Sequence, residues 1–147
     1  MANAGHISGR NCSVRFWDTT GASHALDAHG NNVDINYTAD DQETTAYGDN
    51  THVNLAGLRN YGITFSGWWA GSGEGSAASL LFELVAACAG TVVQVNPAGS
   101  AAGSMAYAAS VNISSIDHGF PVDNIATMSF SATPRAGSLS ACAGSIW

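Results

Sequence analysis

Thr44-Thr45-Ala46-Tyr47-Gly48-Asp49, followed after a short polar gap by Leu55-Ala56-Gly57-Leu58-Arg59-Asn60-Tyr61-Gly62-Ile63-Thr64-Phe65-Ser66-Gly67, carries the two patterns from which an architecture can be built. Its first part couples glycine to a carboxylate (Gly48, Asp49), the composition of a turn. Its last part alternates, with Tyr61, Ile63 and Phe65 on one side and Gly62, Thr64 and Ser66 on the other. That period of two belongs to a half-buried strand. A long polar excursion therefore leads straight into a core strand that ends at Trp68 and Trp69.

Working outward, residues 11–18 alternate Cys12, Val14 and Phe16 against Ser13, Arg15 and Trp17 and predict a first strand. Asn32 to Thr38 predicts a second, with Val33, Ile35 and Tyr37 on one side and Asp34 and Asn36 on the other. Ala39-Asp40-Asp41-Gln42-Glu43 concentrates acid without apolar periodicity and reads as part of a solvated loop, about 38–60. Gly71, Gly73 and Gly75 punctuate a linker-like run. Leu81, Leu84, Val85 and Cys88 then recur at helical spacing, with Ser76 or Ser79 as N-cap and Gly90 as C-cap, so one helix is expected over about 77–89. Strands follow at 91–96, 105–116 and 125–133, separated by Pro97-Ala98-Gly99 with a small-residue connection at 100–104, and by the turn-rich 117–124. The tail from Pro134 presents Leu139, Ile146 and Trp147 without an obvious partner in the chain. The expected fold is mainly β: a sandwich or barrel of short antiparallel strands, one flanking helix and one long polar loop, in a single domain spanning 1–147.

Composition narrows the function. The chain has 147 residues, is 46% hydrophobic and is only 10% charged, against roughly 25% charged in an ordinary soluble domain. Lysine is absent; the cations are Arg10, Arg15, Arg59 and Arg135. So bare a charged surface points to one largely covered by partners. A net charge of −7 with no basic cluster disfavours nucleic-acid binding. Cys12, Cys88 and Cys142 lie far apart, without C-x-x-C spacing, and are expected as buried thiols of a reducing compartment. The N-terminal run lacks a basic segment followed by an apolar one, so no secretory leader is expected. No apolar run approaches the ~20 residues that span a bilayer, so no membrane partner is expected.

Candidate chemistry is weak throughout. His24 and His29 are five apart, not at the spacing that puts two ligands on one helix face. Asp40, Asp41 and Glu43 lack the ligand spacing of a calcium loop. The glycine string has no lysine or ribose-binding acid to make it a phosphate cradle, and no serine sits in a nucleophile elbow. No catalytic, cofactor or metal residue is assigned, and the chain is not expected to be an enzyme. Trp17, Trp68, Trp69 and Trp147 can serve as a sugar-stacking platform or as core and subunit-interface packing. Trp68 and Trp69, adjacent on a strand, are expected to point to opposite faces, so that at most one enters the core.

The order Asn32-Val33-Asp34-Ile35-Asn36, Glu43-Thr44-Thr45-Ala46-Tyr47-Gly48-Asp49, Leu55-Ala56-Gly57-Leu58-Arg59-Asn60 and Ile63-Thr64-Phe65-Ser66-Gly67 resembles the tail tube (major tail) proteins of long-tailed bacteriophages. Where that family commonly places an acidic residue and a proline after S-G, this chain has Trp68-Trp69-Ala70. The resemblance implies a structural virion protein, assembled in the host cytoplasm as hexameric rings stacked into a tube. Its partners would be itself, other tail proteins at the tube ends, and DNA passing through without specific binding. It also implies a ring-stacking loop, here Thr44, Thr45, Tyr47, Gly48, Asp49, Leu55, Gly57, Leu58 and Arg59, with Arg59 facing a carboxylate of the next ring. A ring interface must close by rotation, whereas stacking must not. Asp34, Asp117 and Asp123 are candidates to face an acidic lumen. A head-decoration or capsid-cementing protein would share the composition and the lack of catalysis, and a carbohydrate-binding sandwich would use the tryptophans.

Overall fold

The computed structural model describes residues 12–26, 29–69, 77–99, 105–135 and 140–143. In chain order the elements are β1 (Ser13–Trp17), β2 (Ser23–Ala25), β3 (Gly30–Glu43), β4 (Asn54–Trp68), α1 (Ala77–Ala86), β5 (Gly90–Asn96), β6 (Met105–Gly119), β7 (Thr127–Pro134) and β8 (Ser140–Ala143). All strands join one antiparallel sheet in the order β2-β1-β5-β6-β7-β4-β3, with β8 beside β6. β7 pairs with residues 111–119 of β6 and β8 with residues 105–108, on the side away from β5.

This sheet cannot be flat. Seven strands in a row at ~4.8 Å put the first and last about 29 Å apart. Yet β2 ends at Ala25 and β3 begins at Gly30, and five residues reach at most about 18 Å. The sheet therefore curls until its two ends meet at the 26–30 corner. There Leu26 accepts from the amides of His29 (3.1 Å) and Gly30 (3.0 Å), and His29 accepts from Trp68 N–H (2.7 Å). Inside the curl lie Val14 and Phe16 of β1, Ile63 and Phe65 of β4, Val93 and Val95 of β5, Val111 of β6 and Phe130 of β7, with Leu26 from the corner. Phe65 and Phe130 stack at 5.3 Å. Full burial of side chains of this size contributes about 2–3 kcal/mol each, so the curl is held chiefly by its contents.

At the opposite end the β1–β2 turn is tied by one carboxylate. Asp18 accepts from Thr20 N–H (2.8 Å), Thr20 O–H (2.7 Å) and Ala22 N–H (3.0 Å), and it contacts His24 Nε2 at 2.9 Å. These contacts, Thr20 and His24 first, hold the Asp18 carboxyl well below the usual carboxylate range.

α1 closes the core with Ala78, Leu81 and Leu84 buried and Val85 partly so. Its C-terminus differs from expectation. Ala89 N–H reaches back to Leu84 C=O (3.0 Å) and Cys88 N–H to Val85 C=O (3.1 Å), the paired bonds of a Schellman end. The left-handed residue that this end requires is Cys88, at φ +50°, and not Gly90. Gly90 instead opens β5 beneath the side chain of Arg135. Cys88 is exposed rather than buried, because a helix-terminating residue lies beyond the last core-facing turn. Replacing Cys88 with Gly removes the left-handed penalty of a side-chain-bearing residue, and Cys88→Gly is expected to raise stability by about 1 kcal/mol. A urea titration checks this through its midpoint at constant slope.

Other expectations shift as well. Ser79 lies within α1 and cannot be its N-cap, while Ser76, the 71–75 glycine string and the 100–104 connection fall outside the described residues. β2 and β8 form where no alternation signalled a strand. Several strands are not short: β3 has 14 residues, and β4 and β6 have 15 each. Much of the expected 38–60 loop is paired strand, because β3 and β4 continue past the core as a two-stranded ribbon. The register there runs Thr38 with Asn60, Ala39 with Arg59, Asp41 with Ala56 and Glu43 with Asn54. The ribbon lacks apolar periodicity because neither of its faces meets the core.

Candidate functional site

Two surfaces stand out, a polar wall and the ribbon that extends it. On the wall, the strands that bury Val33 and Ile35, Ile63 and Phe65, Phe130 and Ala132, and Ile113 and Ile116 turn their alternate residues outward. Register aligns those residues in rows. Asp34, Thr64, Ser131 and Ser115 form one row, and Asn32, Ser66, Ser129 and Asp117 the next. Asn36, Gly62, Thr133 and Asn112 extend the same face. It is composed of Asn, Ser, Thr and Gly, with Asp34 and Asp117 as its charged groups.

Local bonds keep the wall in shape. A bulge at Asn31 lets its side chain accept from Ser66 Oγ at 2.9 Å, and Asn32 Nδ2 donates to Asp34 at 2.9 Å. A bulge at Ser114 lets its hydroxyl donate to the Ser131 carbonyl at 3.0 Å and restores alternation so that Ile116 still points inward. Asp34 and Asp117 thus share one face, whereas Asp123 sits off it in the 120–126 turn. The wall as a whole was not anticipated. Its signal was compositional: the polar half of four separate alternations is uniformly small.

Both lateral margins of this wall are strand edges. β3 is hydrogen-bonded to β4 alone, and β6 carries no strand on its β5 side from residue 113 to 119, because β5 begins at Gly90 opposite Asn112. These statements concern the described residues.

The ribbon leaves the core at Tyr61, whose buried hydroxyl donates to the Ser110 carbonyl at 2.7 Å. Burial pushes that phenol's pKa upward. Farther out, Asp40 alone opposes Gly57 and Leu58, a β-bulge. A Cβ on Gly57 would lie 3.0 Å from the Asp40 carbonyl oxygen, so glycine lets the strands stay close across the kink. Arg59 is exposed beside Ala39, and Leu55 and Leu58 project into solvent, Leu58 at 82% exposure.

The tip, residues 44–53, is ordered by its own sequence. Ala46 C=O accepts from Asp49 N–H at 3.1 Å while the Asp49 carboxylate accepts from Ala46 N–H at 2.8 Å. Gly48 takes φ +104° at the third position of this turn, where a side chain would be strained. Tyr47, at the second position, is thrown fully into solvent. Thr44 N–H donates to Val53 C=O at 2.7 Å, and Thr45 O–H accepts from Val53 N–H and donates to Glu43. His52 Nδ1 lies 2.6 Å from Glu43 Oε1. His52 first, then Thr45, lowers the Glu43 pKa from its ordinary 4.5. A lowered folded-state value means that this tie is complete above pH 4.5 and is lost as pH falls through the folded value. Substituting His52 with Ala is expected to return Glu43 toward its ordinary titration, read from its side-chain carbonyl shift by NMR.

Trp68 and Trp69 both stay out of the core, at 41% and 36% exposure. That neither enters the core is within the expectation that at most one does, but the two are not neighbours on one strand, because β4 ends at Trp68. Trp68 continues the outward row of Thr64 and Ser66, while Trp69 turns to meet Phe120 edge-on at 5.6 Å and 74°. Phe120, Val122 and Ile125 are exposed in the adjoining turn. Among the described residues no group of three His, Cys, Asp or Glu side chains is placed to hold a metal, and no helix is long and apolar enough to cross a membrane.

No protein-family model and no curated protein sequence matches this chain. Solved structures do match. A chain from the tail of an empty gene transfer agent particle, refined with C6 symmetry, aligns at TM-score 0.75 and 18% identity over 94% of this chain and 100% of its own. A chain from the SPP1 tail tube aligns at 0.69 and 12% identity, covering 95% and 80%. A chain from the sheath/tube terminator of an extracellular contractile injection system aligns at 0.70 and 16%, covering 97% and 100%. With a curled sheet, one helix and an outer ribbon among its described residues, the chain has the fold of proteins from phage and phage-like tails.

Proposed function

We propose that this chain is the structural subunit of a tail tube, closing into rings of six that stack into a hollow helical assembly within a virion or virion-like tail. The carrying observation is the polar wall with a strand edge on each side. Sheet edges are ready to pair with another chain, and here the edges differ, β3 on one side and residues 113–119 of β6 on the other. Pairing unlike edges is head-to-tail and closes into a ring when the rotation per copy fits. With the six-fold symmetry of the gene transfer agent tail, four strands from each of six copies make 24 strands. At ~4.8 Å per strand these enclose a bore about 37 Å across between backbones before strand tilt widens it.

The wall then lines the bore. Its hydroxyl, amide and glycine surface offers a duplex no cation to grip, and Asp34 and Asp117 place 6 × 2 = 12 carboxylates in each ring. Such a lining lets DNA slide during ejection, since retention on a basic wall would draw on counterion release. Asp123 lies off the wall and does not contribute. The ribbon, with Thr44, Thr45, Tyr47, Gly48, Asp49, Leu55, Gly57, Leu58 and Arg59, carries the axial contact between rings. Proteins that terminate the tube are the remaining partners.

Negative-stain microscopy of the purified protein at rising concentration tests this. Hollow tubes with six-fold end views are expected. Particles that stay discrete at all concentrations, or tubes that retain duplex DNA at physiological salt, would overturn the assembly or the sliding lumen, respectively.

A further inference from the structure

The ribbon supplies one half of a stacking contact; the fold also contains a surface suited to the other half. β4 runs from the ribbon at Asn54 to Trp68, and Trp68 stands opposite Thr127 of β7, itself opposite Gly119 of β6. The 120–126 turn therefore lies at the far pole of the same strands, about 48 Å from the ribbon's outer rung along an extended β4. Each pole exposes large apolar side chains: Tyr47, Val53, Leu55 and Leu58 on the ribbon, and Trp68, Trp69, Phe120, Val122 and Ile125 at the far pole. The wall between them exposes none. Both surfaces are also preorganised. The ribbon tip is fixed by the bonds described above. The far pole is fixed by the Trp69–Phe120 contact, by Trp69 N–H donating to Ala126 C=O (2.9 Å) and by Asn124 Oδ1 accepting from Ile125 N–H (2.8 Å).

We infer that the far-pole patch is the receptor for the ribbon of a second copy of this chain, displaced along the strand direction. The inference rests on the tube proposed above. Two different surfaces at opposite ends of one molecule make a contact that repeats without closing, as stacking requires. Area decides how it behaves. Four exposed apolar side chains on the ribbon and five at the far pole, at roughly 100 Å² apiece, bury about 900 Å² in total, below the ~1,200 Å² at which specific pairs become stable. One contact does not hold two free copies together, whereas six acting in parallel between preformed rings do. Charge does not drive it. The ribbon carries Asp40, Asp41, Glu43 and Asp49 against Arg59, and the far pole carries Asp123, with Asp117 at the adjoining end of the wall. Both surfaces are acidic, so screening favours the contact, and added salt is expected to lower the concentration at which tubes form.

The test uses two full-length variants, Leu58→Cys and Val122→Cys, mixed under assembly conditions and treated with a short bis-maleimide; peptide mapping identifies the joined cysteines. A 58-to-122 link, which is necessarily between copies, is expected in tubes and not in dilute protein. In parallel, Val122→Glu, at a position wholly exposed in the single copy, is expected to keep the wild-type circular dichroism and to form rings, yet to raise the critical concentration for tubes by about tenfold or more. Tubes of the mixed cysteine variants without that link, together with Val122→Glu assembling at the wild-type concentration, would overturn the receptor assignment and leave the tube standing. Failure of the wild type to form tubes at all would remove the tube reading and this inference with it.

Discussion

Excising residues 39–59 and joining Thr38 to Asn60 through Asn-Gly is expected to leave a folded subunit that no longer forms tubes. Thr38 and Asn60 are a cross-strand pair, and a two-residue Asn-Gly turn has the twist such a pair needs. Every residue removed is exposed, and the last buried row, at Tyr61, is retained. A two-stranded ribbon outside the core contributes little stability of its own, so the fold should change by no more than about 1 kcal/mol. Assembly should instead be lost outright, because the cut removes Tyr47, Leu55, Leu58 and the bulge that aims them. Circular dichroism and thermal melting read the first outcome and electron microscopy the second. Normal tubes from the shortened chain would take the ribbon out of the mechanism.

Gly67→Ala is expected to be the most damaging single-methyl change in the described fold. A Cβ at Gly67 would penetrate the contact distance of the His29 carbonyl oxygen, 2.9 Å from the His29 carbonyl carbon and 3.0 Å from Gly30 Cα. All of these are backbone atoms of the corner where the curled sheet closes, and none can swing aside as a side-chain end would. The corner must move, and with it goes the Trp68 N–H to His29 C=O bond. Overpacking and a lost hydrogen bond together cost about 3 kcal/mol. That is a large share of a stability of ~5–15 kcal/mol and amounts to a fall of about 10 °C in Tm. Gly62→Ala is the control, since its Cβ would meet only the Ala132 carbonyl oxygen at 3.8 Å, an ordinary contact. It is expected to be neutral or slightly stabilising, because alanine loses less backbone freedom on folding. Equal melting temperatures for the two variants would show that the corner is not what closes the sheet.

The T-T-A-Y-G-D and L-A-G-L-R-N segments acquire separate physical reasons from these contacts. Gly48 is needed for its left-handed φ, Asp49 for the bond that returns to Ala46, and Gly57 for the close approach of Asp40 across the bulge. None of these residues touches the core. Their constraint is the shape of a surface, which agrees with a role in assembly rather than in stability.

What the sequence by itself determined was local and periodic. Alternation placed Val14, Phe16, Ile63 and Phe65 in strands with one face apart from the other, turn signals bounded the later strands, helical spacing grouped Leu81 and Leu84, and the Gly-Asp pair marked the tip turn, because backbone geometry fixes which neighbours share a face. What only the tertiary structure decided was which strands pair. The four polar alternations merge into one wall, the corner at His29 demands glycine at 67, and Trp68 and the 120–126 turn share a pole opposite the ribbon. β2 and β8 escaped notice for the same reason. Three or four residues carry too short an alternation to register, and such strands exist because long neighbours, β1 and β6, supply their hydrogen bonds. The helix end moved from Gly90 to Cys88 because Gly90 had already been claimed by β5 pairing and by the packing of Arg135. Contacts between residues far apart in sequence overrode a sound local preference there.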